Sequence, residues 1–204
     1  MNPAAPRASG GGVATLPRRL AVRAVRALRA PPTARDWAEA AALGLVAGAV
    51  GYAIGRRTGL FQPRPAPLPT VAVALGILLT PAFGEEFWFR GVLTRSREEQ
   101  PDDLAALLPS TAAFTAWHVL TALTILPGAR TTFLRPDFLT LAALEGLVCG
   151  WLRRRTGSIW PGVLLHWAEV IVWKTWLGGP DFADLAQTPG KVGSSSRRPL
   201  AISP

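Results

Sequence analysis

The stretch whose reading decides the fold is residues 68–93, LPTVAVALGILLTPAFGEEFWFRGVL. From Leu68 to Gly84 it carries no Asp, Glu, Lys or Arg. Two carboxylates then arrive side by side, Glu85 and Glu86, with Arg90 following. A charge-free run of this kind reads as helix in lipid, since roughly 17–25 apolar residues cross a bilayer as a helix. Lipid offers the backbone no partner, so every N–H must be satisfied within the segment. Ionisable groups on such a helix are costly and usually mark function.

Four further stretches read the same way: residues 37–55, 104–126, 137–152 and 158–177. The fourth span in chain order, 137–152, is short and contains Glu145, so it is expected to tilt or to lie buried among the others. The expected fold is therefore all-α, a polytopic membrane bundle of about five transmembrane helices. Composition agrees: 49% of the 204 residues are hydrophobic and only 17% are charged, against about 25% in soluble domains. Three regions follow: a basic, partly disordered 1–36, a membrane-embedded 37–177 and a flexible, Gly-, Pro- and Ser-rich 178–204.

The formal net charge is +9, but the arginines sit at the ends of apolar stretches. That is the pattern of a membrane protein and excludes nucleic acid as the expected partner. Residues 1–17 read as disordered. Arg19, Arg23, Arg26 and Arg29 then recur every three or four residues, which makes either a basic helix on anionic head groups or a tail that sets orientation. With five spans, a cytoplasmic N-terminus puts Arg153, Arg154 and Arg155 on the same side, as the positive-inside rule asks; Arg56, Arg57 and Arg64 then face outward against it. The expected location is the inner or plasma membrane, multi-pass. The one cysteine, Cys149, cannot form an internal disulfide and reads as a packing residue.

Chemistry concentrates in four places. Successive helical residues point about 100° apart, so Glu86 can pair with Arg90 at i+4 while Glu85 faces elsewhere, into a cavity as a general base. His118 lies within a long charge-free run, where either a packing or a functional role fits. His166 lies on the last span, with Glu169 three residues on. Glu145 fits either a further cavity acid or an ion pair with a neighbouring Arg. Both histidines of the chain thus fall on expected spans, and two His with one Glu suit zinc or direct activation of water.

The series Glu85-Glu86-x-x-x-Arg90, Phe114-x-x-x-His118 and then His166 resembles the CAAX-processing and bacteriocin-processing (CPBP, or Abi) intramembrane proteases over roughly residues 70–177. The resemblance implies a helical bundle with a polar cavity, Glu85 activating water with help from His118, Arg90 orienting the glutamates and His166 stabilising the oxyanion. It implies a glutamate mechanism without a cofactor, zinc being the alternative. One departure stands out: the family's His-x-x-x-Asn ends here in Val170, which cannot donate a hydrogen bond. Trp167, Trp173 or a backbone N–H are the candidate replacements, and Glu169 is a supporting residue. The run His166-Trp167, Trp173-Lys174, Gly178-Gly179 is similar to the myxosortase-type and JDVT-CTERM-associated members. The expected function is an intramembrane endopeptidase that cleaves a membrane-proximal bond in a C-terminally anchored protein. The competing readings are a non-catalytic membrane scaffold on the same fold and a bis-His metal or haem protein.

Overall fold

The computed structural model describes residues 15–64, 67–180 and 182–186. The expected disorder of residues 1–14 and the end of the C-terminal tail lie outside those residues. Among the described residues the chain is helical throughout, with no strand. Six long helices carry it: α1 Leu16–Arg29, α2 Ala34–Thr58, α3 Val71–Leu93, α4 Asp103–Thr124, α5 Pro136–Thr156 and α6 Trp160–Trp176. The last five lie where the five apolar stretches were read. Three of them, α2, α3 and α4, are long and apolar enough to cross a membrane.

Local chemistry sets the starts. Thr33 and Asp36 form a reciprocal capping box at α2, satisfying amides that have no partner within the helix. The Asp102 side chain accepts from Ala105 N–H at α4. Pro136 and Pro161 occupy first-turn positions of α5 and α6, where a missing N–H costs nothing.

The helix α5 sits at the centre, packed on α4, α2 and α6. Its approach to α4 runs through small residues: a Cβ on Gly150 would stand 2.6 Å from Leu107 and one on Gly146 3.0 Å from Thr111. Small residues let backbones close in lipid, where apolar burial gives no drive. Large apolar side chains such as Val46, Val71, Leu79 and Leu104 point outward and are exposed, as lipid-facing residues must.

The helix α3 is not regular. Thr80 leaves helical geometry at φ −147° and ψ 112°, next to Pro81, and wide π-type turns flank the short regular piece Gly84–Glu86. Proline removes a helical donor, and π-type turns recur at functional sites. This break re-aims the segment that carries Glu85, Glu86 and Arg90.

Leu16 and Pro17, read as disordered from sequence, begin α1, because the basic stretch is helical and docks. Its Ala24 and Ala27 are buried, Ala27 C=O accepts from Ile159 N–H, and Leu28 C=O accepts from the Trp160 indole. Part of the C-terminal region also packs: Leu185, in the short helix Phe182–Ala186, lies against Ala122, Ala129 and Phe133. Antiparallel connections sort the arginines. Arg154 meets Asp103 at 2.6 Å and Arg155 meets Glu39 at 3.4 Å at the α1 end. At the other end, Gln62 N–H bonds Leu177 C=O, beside Arg56 and Arg57.

Candidate active site

The two neighbouring glutamates take opposite surroundings. Glu86 is 0% exposed and lies 3.1 Å from the Arg90 guanidinium, itself 1% exposed. The pair forms at i+4 on α3, as the helical spacing predicts. Arg90 also stacks on Phe114 of α4, its guanidinium carbon 4.1 Å from the ring centre, which adds a cation–π contact. Gly162 admits this arrangement: a Cβ there would stand 2.8 Å from Glu86 Oε2. Glu85 instead turns to a large cavity, and its Oε1 accepts from the Trp117 indole N–H at 3.1 Å.

That cavity has a volume of about 1060 Å³ and is walled mainly by apolar side chains of α2, α4, α5 and α6. Glu85, His118, Glu145, His166 and Glu169 all line it. The residues singled out from sequence are therefore brought together, with Glu86 and Arg90 behind Glu85.

His118 is oriented by its own helix. Its Nδ1 lies 3.0 Å from Phe114 C=O. A carbonyl only accepts, so Nδ1 is the donor, and in the neutral ring Nε2 keeps its lone pair. The ring is boxed edge-on by Phe114, Phe133 and Phe138. His166 sits among carboxylates: Nδ1 is 3.2 Å from Glu145 and 3.4 Å from Glu86, and Nε2 is 3.9 Å from Glu85. Glu145 thus meets His166 and not an arginine, a placement the α5 sequence could not choose between.

The expected oxyanion substitutes divide. The Trp167 indole donates to Ala74 C=O at 2.8 Å, so it is engaged in joining α6 to α3. Trp173 and Val170 line the cavity, as does Lys174, which also donates to Pro180 C=O. Of the other aromatic residues near the motif, Trp88 points outward and Phe89 packs edge-on against Phe114.

For a metal, Glu86, Glu145 and Cys149 offer ligand atoms within 4.8 Å of one another. This is not the Glu–His–His set read from sequence. A dication there would share Glu86 with the Arg90 guanidinium, which already stands 3.1 Å from that carboxylate, and two cations on one carboxylate in an apolar setting repel each other.

Comparison with curated proteins and with solved structures returned no match. The family described as type II CAAX prenyl endopeptidase Rce1-like matches residues 67–172. That span runs from just before α3 to within α6, holds the Glu85–Arg90, His118 and His166 elements but not the α2 wall of the cavity, and covers more than half of the sequence. The chain belongs to the type II CAAX prenyl endopeptidase Rce1-like family.

Proposed function

We propose that the chain is a glutamic-type intramembrane endopeptidase in which Glu85 activates the attacking water. Family membership supplies the broader statement, a membrane-embedded peptide hydrolase. The observation that carries the finer reading is the split of the Glu pair: Glu86 is locked on Arg90 while Glu85 is presented to a cavity shared with both histidines.

The steps follow from those positions. The Glu85 carboxylate takes a proton from water, and the resulting hydroxide adds to the scissile carbonyl carbon. His118, through the free Nε2, orients that water. His166 in its imidazolium form donates from Nε2 to the oxygen that becomes negative, a role in which one donor is worth about 2.7–4 kcal/mol. The C–N bond then breaks as the proton held by Glu85 passes to the leaving amine. Arg90 and Glu86 fix the helix that carries the base, and Glu169 adds a carboxyl group to the cavity wall. No cofactor enters.

The substrate is a membrane-anchored protein, cleaved beside its C-terminal anchor, since an apolar cavity among lipid-facing helices suits an apolar peptide segment. The myxosortase-like sorting role rests on His166-Trp167 together with Trp173-Lys174 and Gly178-Gly179, the last two of which lie beyond the matched span. The gathering of Arg153, Arg154 and Arg155 at the same end as α1 supports a cytoplasmic N-terminus in the inner or plasma membrane.

Cells expressing wild type, Glu85→Gln or His118→Ala together with a candidate anchored protein test the reading, followed by the size shift of that protein. Normal expression of both variants with loss of the shift supports it. Persistent cleavage in both removes Glu85 and His118 from the chemistry. Metal content of the purified protein separates the zinc alternative, which requires stoichiometric metal.

A further inference from the structure

A second cavity, of about 400 Å³, lies away from the carboxylate cluster, between α1, the loop after α3 and the end of α5. Arg18, Arg19, Arg23 and Arg26 line it from α1, Ser96 and Glu99 from the loop, and Arg153 from α5. Five arginines thus face one carboxylate. That carboxylate is already satisfied: Arg23 donates to it from Nε and Nη2, each at 2.8 Å, and Ser96 N–H donates at 3.0 Å. Arg26 meets Glu98 at 3.2 Å, but both side chains are exposed there, and such pairs contribute little.

Arg153 is the informative member. It is 5% exposed, and its buried Nε has no hydrogen-bond partner. Burying a guanidinium N–H without a hydrogen-bond acceptor is costly, Glu99 being the one carboxylate on this cavity and already held by Arg23, and a planar guanidinium fork matches phosphate oxygens. Val22 of α1 also lines the cavity, and α1 exposes the apolar side chains of Leu16, Val22 and Val25. An amphipathic basic helix with its apolar side chains uncovered is suited to the head-group layer.

We propose that this pocket binds a phosphate-bearing anion, with Arg153 at its base and Arg18 and Arg19 at its rim. Anionic phospholipid head groups and free phosphate share that chemistry. The site is independent of the proposed peptidase reaction and stands or falls separately from it.

The test uses the full chain purified in neutral detergent and follows its melting temperature against three probes: dioctanoyl phosphatidylglycerol, inorganic phosphate and dioctanoylglycerol, which lacks a phosphate. A saturable rise with phosphatidylglycerol alone identifies the lipid head group as the ligand. A rise with inorganic phosphate identifies the free anion. Removing surface arginines weakens anionic-lipid attraction by about fivefold each, so Arg18→Gln/Arg19→Gln should bind roughly 25-fold more weakly. Both residues are exposed, so this variant should keep its fold and tests the pocket without disturbing the buried Arg153. No rise with either phosphate probe, an equal rise with dioctanoylglycerol, or unchanged affinity in the double variant overturns the proposal.

Discussion

Removing the Arg90 guanidinium should damage the fold more than removing the whole ion pair. Arg90 and Glu86 are 1% and 0% exposed and 3.1 Å apart. Arg90→Met leaves the Glu86 carboxylate buried without its guanidinium, a situation that costs about 3–5 kcal/mol. The lower end is the better figure here, because His166 Nδ1 lies 3.4 Å from the same carboxylate and takes up part of the charge. The lost stacking on Phe114 at 4.1 Å adds about 0.5–2 kcal/mol. For a chain of this size each kcal/mol moves the melting temperature by about 2–4 °C, so the single variant should melt roughly 7–20 °C lower. In Glu86→Leu/Arg90→Met both charges leave together, and apolar groups of similar volume replace them. That exchange is often neutral, so only the stacking loss remains and most of the melting temperature should return. Thermal unfolding in detergent, followed by tryptophan fluorescence, measures both. If the double variant melts as low as the single, the charge imbalance at Glu86 is not what Arg90 relieves, and the account of the split Glu pair fails.

Trp117→Phe removes the indole donor to Glu85; a hydrogen bond to a charged group is worth about 1.5–3 kcal/mol, so kcat should fall about tenfold or more with KM little changed, and an unchanged kcat would mean that Trp117 does not position the base. Gly162→Ala places a Cβ 2.8 Å from Glu86 Oε2, and overpacking of this kind costs about 1–3 kcal/mol; a melting temperature at or above wild type would show that α6 has room there. Burial raises the Glu99 carboxyl, but hydrogen bonds from Arg23 and the Ser96 N–H outweigh it and hold it down at about 2 against an ordinary 4.5. A folded value below the unfolded one stabilises fully above about pH 4.5 and loses that contribution as pH falls towards 2. The melting gap between wild type and Glu99→Gln should therefore be constant above pH 4.5 and narrow below it, and a gap that persists at pH 2 contradicts the pairing. His166→Ala should lower kcat by about 10²–10³, and Val170→Asn in that background should restore part of the loss by supplying a donor from the cavity wall; no recovery would place the oxyanion elsewhere.

How much could be read in advance depends on whether a feature is set by near neighbours. The 100° step between Glu85 and Glu86 is a property of the helix alone, and the i+4 pairing with Arg90 follows from it. The same step separates Trp117 from His118, yet nothing in the sequence said that Trp117 would serve Glu85, because that contact joins α4 to α3 across 32 positions of chain. Glu145 is a similar case. It was equally compatible with an arginine partner until the packing of α5 on α6 put it 3.2 Å from His166. The break at Thr80 was also hidden. A run of apolar residues with one proline reads as a single span, and only the backbone shows that its second half is re-aimed. The docking of α1 reversed the reading of Leu16 and Pro17, since Ala24 and Ala27 look too small to anchor a helix until a close-packed partner is known.

The same physics explains why only three helices pass as spans by length and apolar content although five apolar stretches stand out. The two that do not pass, α5 and α6, bring Glu145, His166, Glu169 and Lys174 to the cavity wall, to which α3 and α4 add one ionisable side chain each, Glu85 and His118. The helix α5 carries Glu145 and ends in Arg153, Arg154 and Arg155; α6 has 17 residues and includes His166, Glu169 and Lys174. Each ionisable group lowers the hydropathy of its helix by more than several leucines raise it, because transfer of a charge to the bilayer centre costs about 2.5–3.5 kcal/mol against about 0.5 gained per leucine. Such helices cannot stand alone in lipid. They are tolerable once α2, α3 and α4 surround them, which is where α5 lies, packed against α2 and α4 with α6 beside it. In α5 the site residue Glu145 adds to the lowering made by the terminal arginines, and α6 is also the shortest of the five, with 17 residues. The clustering of His166 with Glu85, Glu86 and Glu145 sets a side chain able to carry positive charge among three carboxyl groups inside the bundle.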